Sequence, residues 1–216
     1  MSLLYKYPML YHIFLEMLHG SSLRKRYEVI AREIGEKKMV FEPGCGTCLI
    51  YPYLLAGCEY EGWDLNERFV HYNVKRGRRV FKKNVFDFND YPPNDVIILC
   101  DLLHHIVPRH EELIKMTLRK TKMLIISETP QSFKLQRKFK RTAYFLHKTL
   151  LDDDGINPFD SMVEWDYPRE KLTSLFNNYG CTKIIKVEWN LIAVFDKREH
   201  TISNSQKIYN KRSKSW

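Results

Sequence analysis

The chain has 216 residues, 44% of them apolar and 28% charged, with a formal net charge of +9. That composition suits one globular domain and excludes global disorder, and no apolar run in it approaches the roughly 18 residues that a bilayer span requires. Five cysteines, an odd number in a chain long enough to bury a core, argue against a disulfide framework.

Residues 1–8 have neither the basic start nor the long apolar stretch of a secretory signal, so cytoplasmic localisation is expected. Hydrophobic residues then repeat at helical spacing through Leu10, Phe14, Met17 and Leu18. They repeat again through Leu23, Tyr27, Ile30 and Ile34 after a break at Gly20-Ser21-Ser22, which predicts N-terminal helices within residues 1–35. Met39-Val40-Phe41-Glu42, stopped by Pro43-Gly44, has the form of a buried strand running into a turn. A helix over 49–55, a strand over 60–64, a helix over 66–76 and a strand over 79–84 follow. Next come a strand over 95–100, a helix over 111–119 and a strand over 122–128. Beyond the stretch 129–168, which is too long for an ordinary connection and is expected to form an insert or lid, residues 169–178 are helical. Residues 182–189 and 191–196 are two strands joined at Asn190.

Strands alternating with helices predict an α/β, Rossmann-like, doubly wound sheet with helices on both faces. The last two strands are too close for a parallel crossover, so a seven-stranded, mostly parallel sheet must end in an antiparallel C-terminal hairpin. One domain over 1–200 is expected, followed by a disordered basic tail over 201–216.

Charge is unevenly placed. Residues 134–148 hold six basic and no acidic side chains, and 196–216 hold six basic against two acidic, so these stretches carry +10 and the rest of the chain −1. The body is close to neutral, which opposes a surface built wholly around a polyanion. As a helix, 134–148 is basic and amphipathic, suited to peripheral contact with anionic lipid or to the entrance of an acceptor site.

Glu42-Pro43-Gly44-Cys45-Gly46-Thr47 stands between the first strand and its crossover. In open parallel sheets a ligand lies beyond the carboxyl ends of the strands, and glycines there let the backbone approach it. Asp64 closes the second strand about twenty residues on, where a carboxylate can accept both ribose hydroxyls of a nucleoside. A dinucleotide fingerprint wants a third glycine where Leu49 stands, and a P-loop wants a lysine that is absent. Cys45 and Cys48 also form a Cys-x-x-Cys, but inside this fuller nucleoside-binding pattern. No metal site is expected, since His104, His105, His110 and Cys100 lack a second ligand pair at suitable spacing.

Glu-x-Gly-x-Gly followed by the distant acid, with Asp95-Val-Ile-Ile-Leu-Cys-Asp-Leu-Leu-His-His-Ile106 at the fourth strand, resembles the class I S-adenosylmethionine-dependent methyltransferases of the small-molecule type. The resemblance covers roughly residues 40–128 and the terminal hairpin. It implies S-adenosylmethionine as cofactor, with Glu42, Gly44, Cys45 and Gly46 along its amino-acid part, Asp64 on the ribose and Leu65 on the adenine. Asn84, standing where the family often has Asp, and Val85 would meet the adenine edge, with Asp87 the substitute in a shifted register. Cys100, Asp101 and His105 fall near the methyl-transfer centre. His105 is the candidate base, a histidine that caps the loop being the competing reading. Cys48 replaces the third glycine of the family motif.

The acceptor pocket in such enzymes forms from the N-terminal helices and the insert, which puts forward Tyr11, Arg26 and Tyr144, with Trp165 beside them. A small-molecule or lipid-like acceptor is expected. An RNA or protein acceptor is the rival, supported by the charge and opposed by the neutral body. A catalytically idle cofactor-binding protein is the other, kept open by Asn84 and Cys48.

Overall fold

The structure is a computed structural model that describes residues 6–132 and 164–198. The predicted basic segment 134–148 with Tyr144, and the tail 201–216, lie outside the described residues. In chain order the described elements are helix α1 (Pro8–Ile34), β1 (Met39–Pro43), β2 (Glu59–Asp64), α2 (Glu67–Val74), β3 (Val80–Lys82), β4 (Val96–Cys100), α3 (His110–Lys120), β5 (Met123–Glu128), β6 (Gln131–Ser132), β7 (Asp166–Tyr167), α4 (Arg169–Asn178), β8 (Lys183–Val187) and β9 (Asn190–Asp196).

Seven strands form one sheet in the order β3-β2-β1-β4-β5-β9-β8. Pairing is parallel from β3 to β5 and antiparallel between β5 and β9 and between β9 and β8. This is the architecture the strand spacing predicts. The sheet is covered on both sides because alternate residues of its central strands point to opposite faces. Phe41, Ile97, Leu99, Leu124 and Ile126 pack with α3 and α4 through Leu113, Ile114, Leu172 and Phe176. Val40, Val96, Ile98 and Ile125 pack on the other face with Tyr27, Ile30, Ala31 and Ile34 of α1.

Helix α1 runs through the predicted break with a kink at Gly20 (φ 26°, ψ −107°), so its two halves point in different directions. The C-terminal half lies on the sheet. The N-terminal half reaches α2, where the rings of Tyr11 and Phe69 are 5.3 Å apart.

The first crossover departs from the predicted helix over 49–55. Only a single 3₁₀ turn forms, Tyr51–Tyr53, bounded by Cys48 at φ +53° and by the extended Leu54. The face that a crossover helix would cover is already occupied by α1: Tyr27 and Tyr53 stack at 5.8 Å and Ile50 is buried. At the other end, two-residue strands β6 and β7 pair antiparallel and bring the two ends of the predicted insert together. No helix among the described residues is long and apolar enough to cross a membrane.

Candidate functional site

The glycine turn, the end of β2 and the end of β4 meet at the carboxyl edge of the sheet. Gly44, at φ +75°, turns the chain so that the amides of Gly44 and Cys45 donate to the Trp63 carbonyl of β2 at 2.7 and 2.9 Å. A Cβ at Gly44 would lie 2.7 Å from Leu102 Cδ1, so the loop after β4 rests directly on this backbone. Gly46, at φ +51°, has no atom within 4 Å of the place a Cβ would take, which leaves its backbone approachable. Its amide donates to Asp64 Oδ2 at 2.8 Å, and the Asn66 amide donates to Asp64 Oδ1 at 2.7 Å. Asp64 thus ties the glycine turn to the start of α2, where Asn66 caps the Arg68 amide at 3.0 Å. A carboxylate offers about four acceptor positions, so these amides do not exhaust it. Leu65 follows, half-buried.

Two residues the sequence reading passed over brace the turn from behind. Asn73 Nδ2 donates to the Gly46 carbonyl at 2.8 Å, and Arg78 donates to the Thr47 carbonyl at 2.7 Å and to Asn73 Oδ1 at 2.9 Å. Asn73 is a fully buried polar residue on an otherwise amphipathic helix.

Beneath the turn, Glu42 is buried and accepts a hydrogen bond from the Tyr60 hydroxyl. Burial pushes its carboxyl well above the usual range, and the Tyr60 bond does not offset this. A group whose folded pKa is raised contributes fully to stability below its unfolded pKa, near 4, and that contribution is lost as pH rises through the folded value. Glu42→Gln, which leaves Tyr60 a neutral acceptor, is expected to be more stable than the parent by about 1 kcal/mol near neutral pH. The gap should close by about pH 4, as urea denaturation at both pH values will test; a gap constant with pH contradicts the assignment.

At the end of β4, Cys100 is half-buried and burial raises its thiol pKa well above the ordinary value. Asp101 follows at φ +49°, its amide donating to the Ser127 carbonyl at 2.9 Å. Arg26 of α1 pairs with Asp101 Oδ2 at 2.6 Å and also donates to Asn190 Oδ1 at 2.9 Å and to the Tyr27 hydroxyl at 2.8 Å. Burial alone would raise the Asp101 carboxyl, but the Arg26 guanidinium overrides it and holds the group below the usual carboxylate range. Arg26 is only 3% exposed, so the expectation that it touches an acceptor is corrected: its guanidinium is taken by protein partners and it positions Asp101.

His105 sits on a 3₁₀ turn, Leu103–His105, its ring 4.3 Å from that of His104. His104 Nδ1 lies 2.9 Å from Glu128 Oε2, and the Leu103 amide donates to Glu128 Oε1 at 2.6 Å. Glu128, fully buried at the end of β5, therefore fixes the turn that carries His105.

The remaining candidates divide. Asn84 and Val85 follow β3 as expected, but Asn84 Oδ1 accepts from the Phe86 amide at 3.0 Å and Asp87 Oδ2 from the Asn84 amide at 3.2 Å, so both side chains fold the loop. Val85 is buried, and its carbonyl accepts from Tyr91. Trp165 is a core residue with no exposure, its ring 4.4 Å from Tyr167 and 5.4 Å from His110, which corrects its expected place in an acceptor pocket. Tyr11 is half-buried between α1 and α2.

No protein-family model matches this chain, and no curated protein matches it. Solved structures do. Magnesium protoporphyrin IX methyltransferase from Synechocystis PCC 6803, with S-adenosylhomocysteine bound, is 14% identical, with 82% of each chain covered and a TM-score of 0.56. A S-adenosylmethionine-dependent methyltransferase from Thermotoga maritima is 16% identical, with 89% of this chain and 97% of the other covered and a TM-score of 0.55. PigF with S-adenosylhomocysteine is 16% identical, with 90% of this chain and 61% of the other covered and a TM-score of 0.57. The fold is thus the Rossmann-like fold of S-adenosylmethionine-dependent methyltransferases, as the sequence motifs imply.

Proposed function

We propose that this chain is a S-adenosylmethionine-dependent methyltransferase acting on a small-molecule or lipid-like acceptor. The observation that carries the reading is the Gly46–Asp64 tie, which puts an approachable backbone turn and a carboxylate side by side at the carboxyl edge of the sheet. The neighbours with bound S-adenosylhomocysteine support the same cofactor.

When bound, the cofactor supplies an electrophilic methyl group on a sulfonium. In this reading the Gly44–Cys45–Gly46 backbone takes its amino-acid part with Glu42 supporting it from beneath, Asp64 takes its ribose hydroxyls, and Leu65, Val85 and the loop that Asn84 folds take its adenine. Cys100 and Asp101 line the centre beside it, and His105 accepts the acceptor's proton. The acceptor enters past Tyr11.

Calorimetric titration with S-adenosylhomocysteine tests the reading on the wild-type chain and on His105→Ala. Saturable one-site binding by both is expected, and a broad acceptor screen with S-adenosylmethionine is expected to yield S-adenosylhomocysteine with the wild type and not with the variant. Absence of binding by the wild type overturns the cofactor assignment, and full turnover by His105→Ala overturns the base.

A further inference from the structure

The N-terminal half of α1 carries apolar side chains that its packing leaves exposed. Met9, Leu10, Ile13 and Met17, one stripe of the helix, are between 40% and 81% exposed. Tyr11, on the opposite side, is half-buried. Tyr7, Met9, Leu10 and Ile13 form one wall of a groove of about 660 Å³ whose other wall is α2 and the turn after it. Arg68, Lys75 and Arg76 lie on that second wall and Lys6 borders the groove as well, so cationic side chains rim a lining that is mostly apolar. Arg76 lies 3.6 Å over the face of Tyr72, presenting its guanidinium on an aromatic platform. Among the described residues no carboxylate pairs with Lys6, Arg68, Lys75 or Arg76. The acid on the same groove, Glu67, pairs with Lys82 at 3.0 Å.

An apolar stripe with a row of uncompensated cations beside it matches a surface that is apolar within and anionic at its rim. A nucleic acid would meet the cations but leave the stripe in water, and a neutral apolar partner would leave the cations unanswered. We propose that the N-terminal half of α1 and the basic edge of α2 form a docking face for an anionic lipid surface. The kink at Gly20 lets this half of α1 lie on the lipid while the other half stays packed on the sheet. The proposal does not rest on cofactor binding, and its test uses none.

The full chain is sedimented with vesicles of phosphatidylcholine alone and of equal parts phosphatidylcholine and phosphatidylserine, at low and high salt. Binding to the anionic vesicles at least about tenfold tighter than to the neutral ones is expected, weakening with salt. Leu10→Glu/Ile13→Glu removes the stripe and Lys75→Glu/Arg76→Glu reverses the basic edge. All four residues are exposed, so circular dichroism should show both variants folded, and each should lose most of the anionic-vesicle binding. Either variant binding like the wild type overturns the proposal. So does a wild type that ignores anionic vesicles, or one whose light scattering reports a dimer that the first variant makes monomeric, the stripe then being covered by a second copy.

Discussion

Asp64→Ala is expected to weaken S-adenosylhomocysteine binding by about tenfold to a hundredfold while leaving the chain folded. A hydrogen bond to a charged group is worth about 1.5–3 kcal/mol, and each 1.4 kcal/mol is a factor of ten in affinity. Two losses combine in this variant. One is the carboxylate proposed to accept the ribose hydroxyls. The other is the tie between Asp64 Oδ2 and the Gly46 amide, 2.8 Å long, which holds the turn against β2. Asp64→Asn separates them, because its amide oxygen can keep one backbone donor while the charge is gone, so an intermediate loss is expected. The turn keeps further anchors in Asp64→Ala, the Trp63 carbonyl and the Asn73–Arg78 brace, so the fold should survive. Isothermal calorimetry with far-ultraviolet circular dichroism on the three proteins decides it. An unchanged dissociation constant in Asp64→Ala ends the ribose assignment, even if the wild type binds.

What could be read from sequence, and what could not, follows from the range of the interactions. Strands β1, β4 and β5 were legible because each is a short apolar run bounded by turn residues, and the closing hairpin because its connection is too short for a parallel crossover. The turn falls at Glu188 and Trp189, however, and Asn190, expected to join the strands, pairs with Val187 as the first residue of β9. The glycine turn and Asp64 were legible because their types and spacing are set by local backbone needs. The crossover over 49–55 was misread because the helical signal there is local, whereas the face it would have covered is taken by Tyr27 and Ile30 of α1, far off in sequence. The pairing of β6 with β7 has two residues per strand, too few for any period to register. Glu128 and Asn73 are lone polar residues in apolar settings, and their partners, His104 and the Gly46 carbonyl, are brought to them only by the folded sheet. Arg26 was misassigned for the same reason: a basic residue on a helix gives no hint, before the chain folds, that Asp101 and Asn190 will enclose it.

That enclosure makes Arg26→Met the substitution expected to cost the most stability. Removing one partner of a buried ion pair costs about 3–5 kcal/mol, since it strands the other charge and every group that shared the donor. Here the Asp101 side chain is 41% exposed, so water can rehydrate part of its carboxylate, and the lower end, about 3 kcal/mol, is expected. Asn190 Oδ1 keeps the Thr129 hydroxyl as a donor at 2.9 Å, which softens the loss at that end. The pH dependence identifies the cause. Because Asp101 is held below its unfolded pKa, the pair's contribution is fully present above about pH 4 and is lost as pH falls through the folded value. The difference in unfolding free energy between wild type and Arg26→Met should therefore be largest near neutral pH and shrink in strong acid. A packing defect alone would persist across that range. Urea denaturation of both proteins from neutral pH to about pH 3 measures the gap directly. A gap below about 1 kcal/mol, or one that acid leaves untouched, means that the ion pair does not hold the end of β4 in place.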